Sequence, residues 1–380
     1  MSFSSLGLSS HLLHALAKQH YTDPYPIQKE AIPAILSGKD VLGVAPTGSG
    51  KTASFALPIL QQFQKKPVAK NRFIKALILV PTRELAVQVG DVFTMFAAQL
   101  PRAVKILSVF GGVSINTQMI HLQGVELLVA TPGRLLDLID SKALNISEID
   151  ILVIDEADKM LNLGFKAEMT SIFSLLPIQR QNLLFSATLG KEINTITEIL
   201  LQNPVKIEVK EDLKHIDLIQ QIAYDVAEER KGPMLRYLIQ EKNMQQVLVF
   251  TSSIQRADAV VEKLKTHGIS AAAIHSKKSQ GARTDALKNF KLGAVKVLVA
   301  TDLASRGIDI DALPFVINYE LPRSPKDYIH RIGRTGRAAS SGTAISLIGP
   351  DEQHHFKVIQ KKMGKKVEII ETEALDLKGY

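Results

Sequence analysis

Three carboxylates, in the tetrapeptide Asp155-Glu156-Ala157-Asp158, close the apolar run Ile151–Ile154. Bare carboxylates at the rim of a core lose hydration at a cost unless a cation sits among them. Upstream, Ala45-Pro46-Thr47-Gly48-Ser49-Gly50-Lys51-Thr52 joins an apolar run to a helical stretch at residues 53–62. A strand, a glycine-rich turn and a helix let backbone N–H groups close on phosphate oxygens. In such a loop Lys51 reaches β- and γ-phosphates and Thr52 offers its hydroxyl to Mg²⁺. Asp155 would partner that ion, directly or through its water, and Glu156 would orient and deprotonate an attacking water. A plain glycine-rich turn and a solvated acidic helix start are the alternatives, and each is weakened by the other motif. Ala45 stands where the first glycine of the G-x-x-x-x-G-K-T pattern is usual.

A third constellation is His330-Arg331-Ile332-Gly333-Arg334-Thr335-Gly336-Arg337. Three arginines and two glycines without a visible acidic partner read as a flexible cationic loop. It could take RNA phosphates or set guanidinium groups against a γ-phosphate, with a solvated basic surface as the alternative.

Such residues need elements to hold them. Runs rich in Val, Ile and Leu recur at 41–45, 76–80, 105–110, 127–131, 151–154 and 183–186, then at 247–250, 271–275, 295–301, 315–319 and 343–348. Each is followed by helical spacing, the pattern of parallel strands with crossover helices. Two doubly wound α/β domains are expected, binding ligands at the carboxyl ends of their strands. With 380 residues, 46% of them apolar, the chain has room for two cores. The charged stretch 206–219 lacks a core pattern, so the expected division is a first domain at 1–207, a linker at 208–219 and a second domain at 220–380. The tail from Asp351 reads as a basic helical finish, and the lysines of residues 357–366 could add RNA affinity or form a solvated helix.

The absence of cysteine excludes disulfides and thiolate metal sites. The first residues lack the pattern of a signal peptide, and no run reaches the ~20 apolar residues of a membrane span, so a soluble cytoplasmic chain is expected. A net charge of +8 suits a polyanionic partner, as it suits any moderately basic globular protein. No heptad or association segment is visible, so a monomer is expected.

Further segments complete an ordered set: Pro81-Thr82-Arg83-Glu84-Leu85-Ala86, Gly111-Gly112, Thr131-Pro132-Gly133-Arg134, Ser186-Ala187-Thr188, and Ala300-Thr301-Asp302 with Arg306-Gly307-Ile308-Asp309. With the motifs above, the chain resembles the DEAD-box ATP-dependent RNA helicases from Phe3 to about Ile348, and is most similar to bacterial members of the RhlE type. The resemblance implies tandem RecA-like domains, ATP and Mg²⁺ as ligands and RNA as partner, and leaves ribonucleoprotein or ribosome-assembly complexes open. It implies that Gln28 bonds the adenine edge, Tyr21 packs on the ring and Phe3 braces that loop. His20 replaces the usual glycine there, so the local turn is expected to differ. The nucleotide site further includes Thr47, Gly48, Ser49 and Gly50, with Asp309 at the ribose. Arg334 and Arg337 are implied at the γ-phosphate, and His330 bridges toward the acidic cluster. Asp158, Ser186 and Thr188 are implied to couple hydrolysis to strand separation. RNA contacts carried over are Thr82, Arg83, Gly112, Thr131, Gly133 and Arg134, then Gln280, Arg283, Thr301 and Arg306. These types suit backbone recognition without base reading. The rival readings are a DNA helicase or translocase, a non-catalytic RNA clamp, and a P-loop kinase acting on a metabolite.

Overall fold

The computed structural model describes residues 2–46, 48–65, 73–209, 219–302, 313–336 and 342–380. Thr47, Arg306, Asp309, Arg337 and linker residues 210–218 lie outside the described residues. The chain divides into two compact units, Met1–Glu211 and Asp212–Tyr380, each built on one parallel sheet.

In the first unit the strands are β1 (Val41–Val44), β2 (Ala76–Leu79), β3 (Ile106–Val109), β4 (Leu127–Ala130), β5 (Ile151–Ile154), β6 (Gln181–Ser186) and β7 (Val205–Glu208). They lie in the order β3-β4-β2-β5-β6-β1-β7. Four central strands, β1, β2, β4 and β5, are buried at every position, which is why their sequences are continuously apolar. Successive side chains still alternate between two cores. Val41, Ile78, Val129 and Val153 pack with the helices Ser10–Lys18, Pro26–Leu36, Lys51–Gln64 and Arg83–Ala97. Leu42, Leu79, Leu128 and Leu152 pack with Pro132–Asp140, Ala157–Asn162, Lys166–Leu175 and Lys191–Leu200 on the other face.

The second unit has β8 (Ile219–Asp225), β9 (Val247–Thr251), β10 (Ala271–Ile274), β11 (Val297–Thr301), β12 (Phe315–Asn318), β13 (Gly342–Ile348) and β14 (Glu368–Glu371). Their order, β10-β11-β9-β12-β13-β8-β14, is the same permutation, with the unit's first strand between its sixth and seventh.

Three strands depart from the sequence reading. The stretch taken as linker begins inside β7 and ends on β8, because Val205–Glu208 pairs with β1 at the sheet edge and buries Ile207 alone. One buried residue leaves no period to detect. In β8 only Ile219 and Ala223 are buried, with Gln220 and Gln221 between them. The tail does contain a helix, Gln353–Met363, but then forms β14 along β8 with all four residues exposed.

At His20 the backbone keeps a φ of +58°, the left-handed conformation that glycine adopts freely. A residue with a Cβ is strained there by about 1–2 kcal/mol, partly offset by glycine's greater freedom when unfolded. His20→Gly is therefore expected to stabilise the protein by about 0.5–1 kcal/mol, read as a higher urea midpoint; an unchanged or lower midpoint would show that the turn is not strained.

Candidate active site and nucleic-acid interface

The loop after β1 carries left-handed glycines at Gly48 and Gly50, with φ of +81° and +84°. A side chain at Gly50 would also collide with the Gln28 amide. Gln28 is fully buried; its Oε1 accepts from Tyr25 N at 2.9 Å and its Nε2 donates to Gly50 O at 3.1 Å. The residue read as an adenine contact thus also ties the N-terminal segment to the phosphate loop. Tyr21 is half-buried, edge-on to Phe3 at 6.5 Å and to Phe96 at 5.6 Å. Ala45 needs no glycine freedom: its N–H donates to Ser186 O at 3.0 Å, extending the β1 pairing with β6, and its carbonyl accepts from Lys51 Nζ at 2.6 Å.

Lys51 opens the helix Lys51–Gln64 and is itself buried; Pro46 O is its second acceptor at 3.0 Å. Burial pulls its ammonium below the usual lysine range, against the opposing charges of Asp155 and Glu156. Thr52 follows it, half-buried, and Ser49 Oγ is buried without a partner.

The acidic cluster sits directly after β5. Burial, helped by the charge of Glu156, raises the Asp155 carboxyl to about 6, while its Oδ1 accepts from Glu156 N at 2.9 Å. Glu156 caps the helix Ala157–Asn162 with φ of +54°. Its Oε1 lies 2.5 Å from Lys159 Nζ and its Oε2 is buried with no partner. Asp158 Oδ2 accepts from Thr188 Oγ1 at 3.0 Å, and Ser186 Oγ donates to Thr188 O at 2.8 Å. The cluster therefore reaches the turn after β6 through Thr188, with Ser186 bracing that turn. Among the described residues no group of three His, Cys, Asp or Glu is placed to hold a metal. A single buried, protonation-prone carboxyl, Asp155, fits an ion that takes its other oxygens from phosphate and water.

The residues expected to meet RNA in this unit follow β2, β3 and β4. Thr82 caps the helix Arg83–Ala97, its Oγ1 accepting from Leu85 N at 3.3 Å. Gly112, with φ of +81°, lies under the Arg83 guanidinium, which a side chain there would displace. Thr131 and Arg134 are buried and Gly133 is half-buried at the start of the helix Pro132–Asp140. Arg134 Nη2 donates to Val113 O at 2.9 Å, and Gln118 Nε2 donates to Phe110 O at 3.0 Å. Arg134 and Gln118, the latter not foreseen from the sequence, thus clamp the Gly111-Gly112 loop from both ends.

In the second unit the arginine segment differs from the free loop expected. His330, Arg331 and Ile332 end the helix Pro325–Ile332, with His330 half-buried. Arg331 has an acidic partner, Asp302, at 2.6 and 2.8 Å, donates also to Asn318 Oδ1 and Glu320 O, and lies over the Phe250 ring. It fastens the helix to the ends of β9, β11 and β12. Asp302 lies 29 positions upstream, so local inspection of the segment could not find it. Arg334 is buried and Thr335 Oγ1 donates to Leu313 O. Thr301 ends β11, while Gln280 and Arg283 lie buried in the first turn of the helix Gln280–Lys291. Lys231 opens the helix after β8, as Lys51 does after β1, but its Nζ is paired with Glu228 at 3.2 Å and Glu352 at 2.7 Å.

Tandem RecA-like sheets, one of them carrying a phosphate loop beside buried carboxylates, define a nucleotide-dependent machine of two units. Comparison narrows the class. The DEAD/DEAH box helicase profile matches residues 25–196, and the helicase conserved C-terminal domain profile matches residues 230–339. A protein named DEAD-box ATP-dependent RNA helicase CshA from Bacillus subtilis is 37% identical over 99% of this chain and 75% of its own length. The protein of the same name from Geobacillus kaustophilus is 37% identical over 99% of this chain and 79% of its own. The structure of S. cerevisiae Dbp5 bound to RNA and ADP BeF3 is similar at a TM-score of 0.84 and 29% identity, over 98% of this chain and 96% of that one. The chain belongs to the DEAD-box RNA helicase family. These matches speak for the family, not for the RhlE subgroup. Among the described residues no helix is long and apolar enough to cross a membrane.

The raised Asp155 carboxyl sets a pH dependence. Below about pH 4 the group is neutral folded and unfolded and adds no penalty. As pH rises through about 6 the folded state must ionise it in a buried place, so stability is lost, up to about 3 kcal/mol. Asp155→Asn is expected to gain on the wild type in urea resistance, without nucleotide or Mg²⁺, as pH rises from 4 to 7.5; parallel curves would refute the assignment.

Proposed function

We propose that this ATP-dependent RNA helicase grips the RNA sugar-phosphate backbone without strong sequence preference and unwinds short duplexes locally. The observation that carries the reading is the division of one sheet edge. The phosphate loop and the acidic cluster follow β1 and β5 and Ser186 ends β6, whereas Thr82, Arg83, Gly112, Thr131, Gly133 and Arg134 follow β2, β3 and β4.

ATP enters with its adenine at Gln28 and Tyr21 and its phosphates in the loop from Thr47 to Thr52. Lys51 exchanges its two carbonyl partners for β- and γ-phosphate oxygens, a stronger, charge-assisted contact. Thr52 and Asp155 would hold Mg²⁺, which would supply charge neutralisation to the phosphates. Glu156 Oε2 receives the proton of the attacking water. From the second unit, Arg334 and Arg337 meet charge developing on the γ-phosphate, His330 turns toward the acidic cluster and Asp309 meets the ribose. Gln280, Arg283, Thr301 and Arg306 add the second unit's share of the RNA backbone.

ATP and single-stranded RNA together favour the closed arrangement of the units, because each contacts both. In it the helix Pro132–Asp140 bends one strand out of duplex geometry. Hydrolysis removes the γ-phosphate contacts and the units reopen. The Asp158, Thr188 and Ser186 contacts carry the change from the acidic cluster to the neighbouring turn. RNA affinity should fall steeply with salt, since the contacts are to phosphate.

The deciding assay is ATP turnover with single-stranded RNA or DNA. RNA is expected to stimulate it strongly, and Glu156→Gln to lower it by roughly 10²–10⁴-fold with nucleotide still bound. Stimulation by DNA alone would favour a DNA translocase, and an unaffected Glu156→Gln would remove Glu156 from catalysis.

A further inference from the structure

We infer that Lys159 is a positioning residue for Glu156: its ammonium occupies Oε1, so that Oε2 alone is left to take the proton of the attacking water. The inference rests on the reading of Glu156 as the general base. Asp155 and Asp158 have neutral partners, the Glu156 amide for the first and the Thr188 hydroxyl and Lys159 amide for the second. Lys51 is bonded to the carbonyls of Ala45 and Pro46. Among the described residues, Glu156 is therefore the one member of the cluster bonded to an ammonium, at 2.5 Å.

The contact is not an ordinary surface pair. The two side chains are only 8% and 15% exposed, so water and salt screen them little. Glu156 sits in left-handed backbone at the start of the helix, and Lys159 stands three residues on, on the same helical face. A glutamate carboxylate turns easily about its last torsion, which would present either oxygen to a substrate. Fixing Oε1 removes that freedom. Oε2 is buried with its lone pairs unused, a costly state that a water hydrogen relieves.

The test compares RNA-stimulated ATP hydrolysis of the full chain with Lys159→Met, Lys159→Arg and Glu156→Gln, together with thermal midpoints. Lys159→Met is expected to lower kcat about tenfold while KM for ATP stays within twofold, the mark of a misplaced group rather than lost binding. Lys159→Arg, which can still bond Oε1, should recover most of kcat, with midpoints close to the wild type. Wild-type kcat in Lys159→Met beside an inactive Glu156→Gln overturns this inference and leaves the base reading standing. An active Glu156→Gln overturns both. Equal loss in the Met and Arg variants, tracking lowered midpoints, makes Lys159 a stability residue and overturns the inference.

Discussion

Parallel pairing throughout both sheets is the constraint on which the rest depends. With every strand running the same way, each unit must deliver all its carboxyl ends to one edge, and every loop that leaves them faces the same side. Residues far apart in sequence become neighbours there. Asp155 and Ser186 leave adjacent strands because β5 pairs with β6, and Ala45 joins them because β1 pairs with β6. The same edge carries Thr82 beside Thr131, since β2 pairs with β4. The two groups meet where β2 pairs with β5, in the register Leu79 with Ile154. On the proposed assignment no long relay is needed between nucleotide and RNA, because the boundary is a single strand spacing, about 4.8 Å.

Charge gathered at such an edge is poised for a ligand rather than for stability. Burial raises Asp155 and depresses Lys51, so both are pressed toward neutrality. Elsewhere some buried charges have close partners. Arg331 has Asp302, Asn318, Glu320 and the Phe250 ring around it, and Arg102 bonds Glu126 at 2.6 Å. Buried atoms without a partner include Ser49 Oγ and Glu156 Oε2 at the candidate site, and one guanidinium nitrogen each of Arg102 and Arg236 outside it.

Much of this was legible in the sequence, for a physical reason. Strands buried on both faces must be apolar at every position, so β1, β2, β4 and β5 announce themselves, and any polar residue just after them stands out. The polar segments between strands and helices are therefore distinct in the chain alone. What stayed hidden were strands with little to bury, β7 with Ile207 alone and β14 with nothing, and contacts closed only by tertiary folding. Arg331 with Asp302 and Gln28 with Gly50 are of the second kind. Lys159 was missed too, although its spacing of three from Glu156 is visible in the chain.

The repeated permutation of the two sheets has one further consequence. Lys51 and Lys231 hold corresponding places, yet Lys231 is already discharged by Glu228 and Glu352, like the remnant of a duplicated pocket soldered shut. In the second unit the counterpart of Lys51 is thus committed to carboxylates. On the proposed mechanism there is then a single power stroke for each encounter with RNA and no second firing chamber to alternate with it. Such a molecule opens a duplex in one pull and lets go, where a motor with two live pockets could walk.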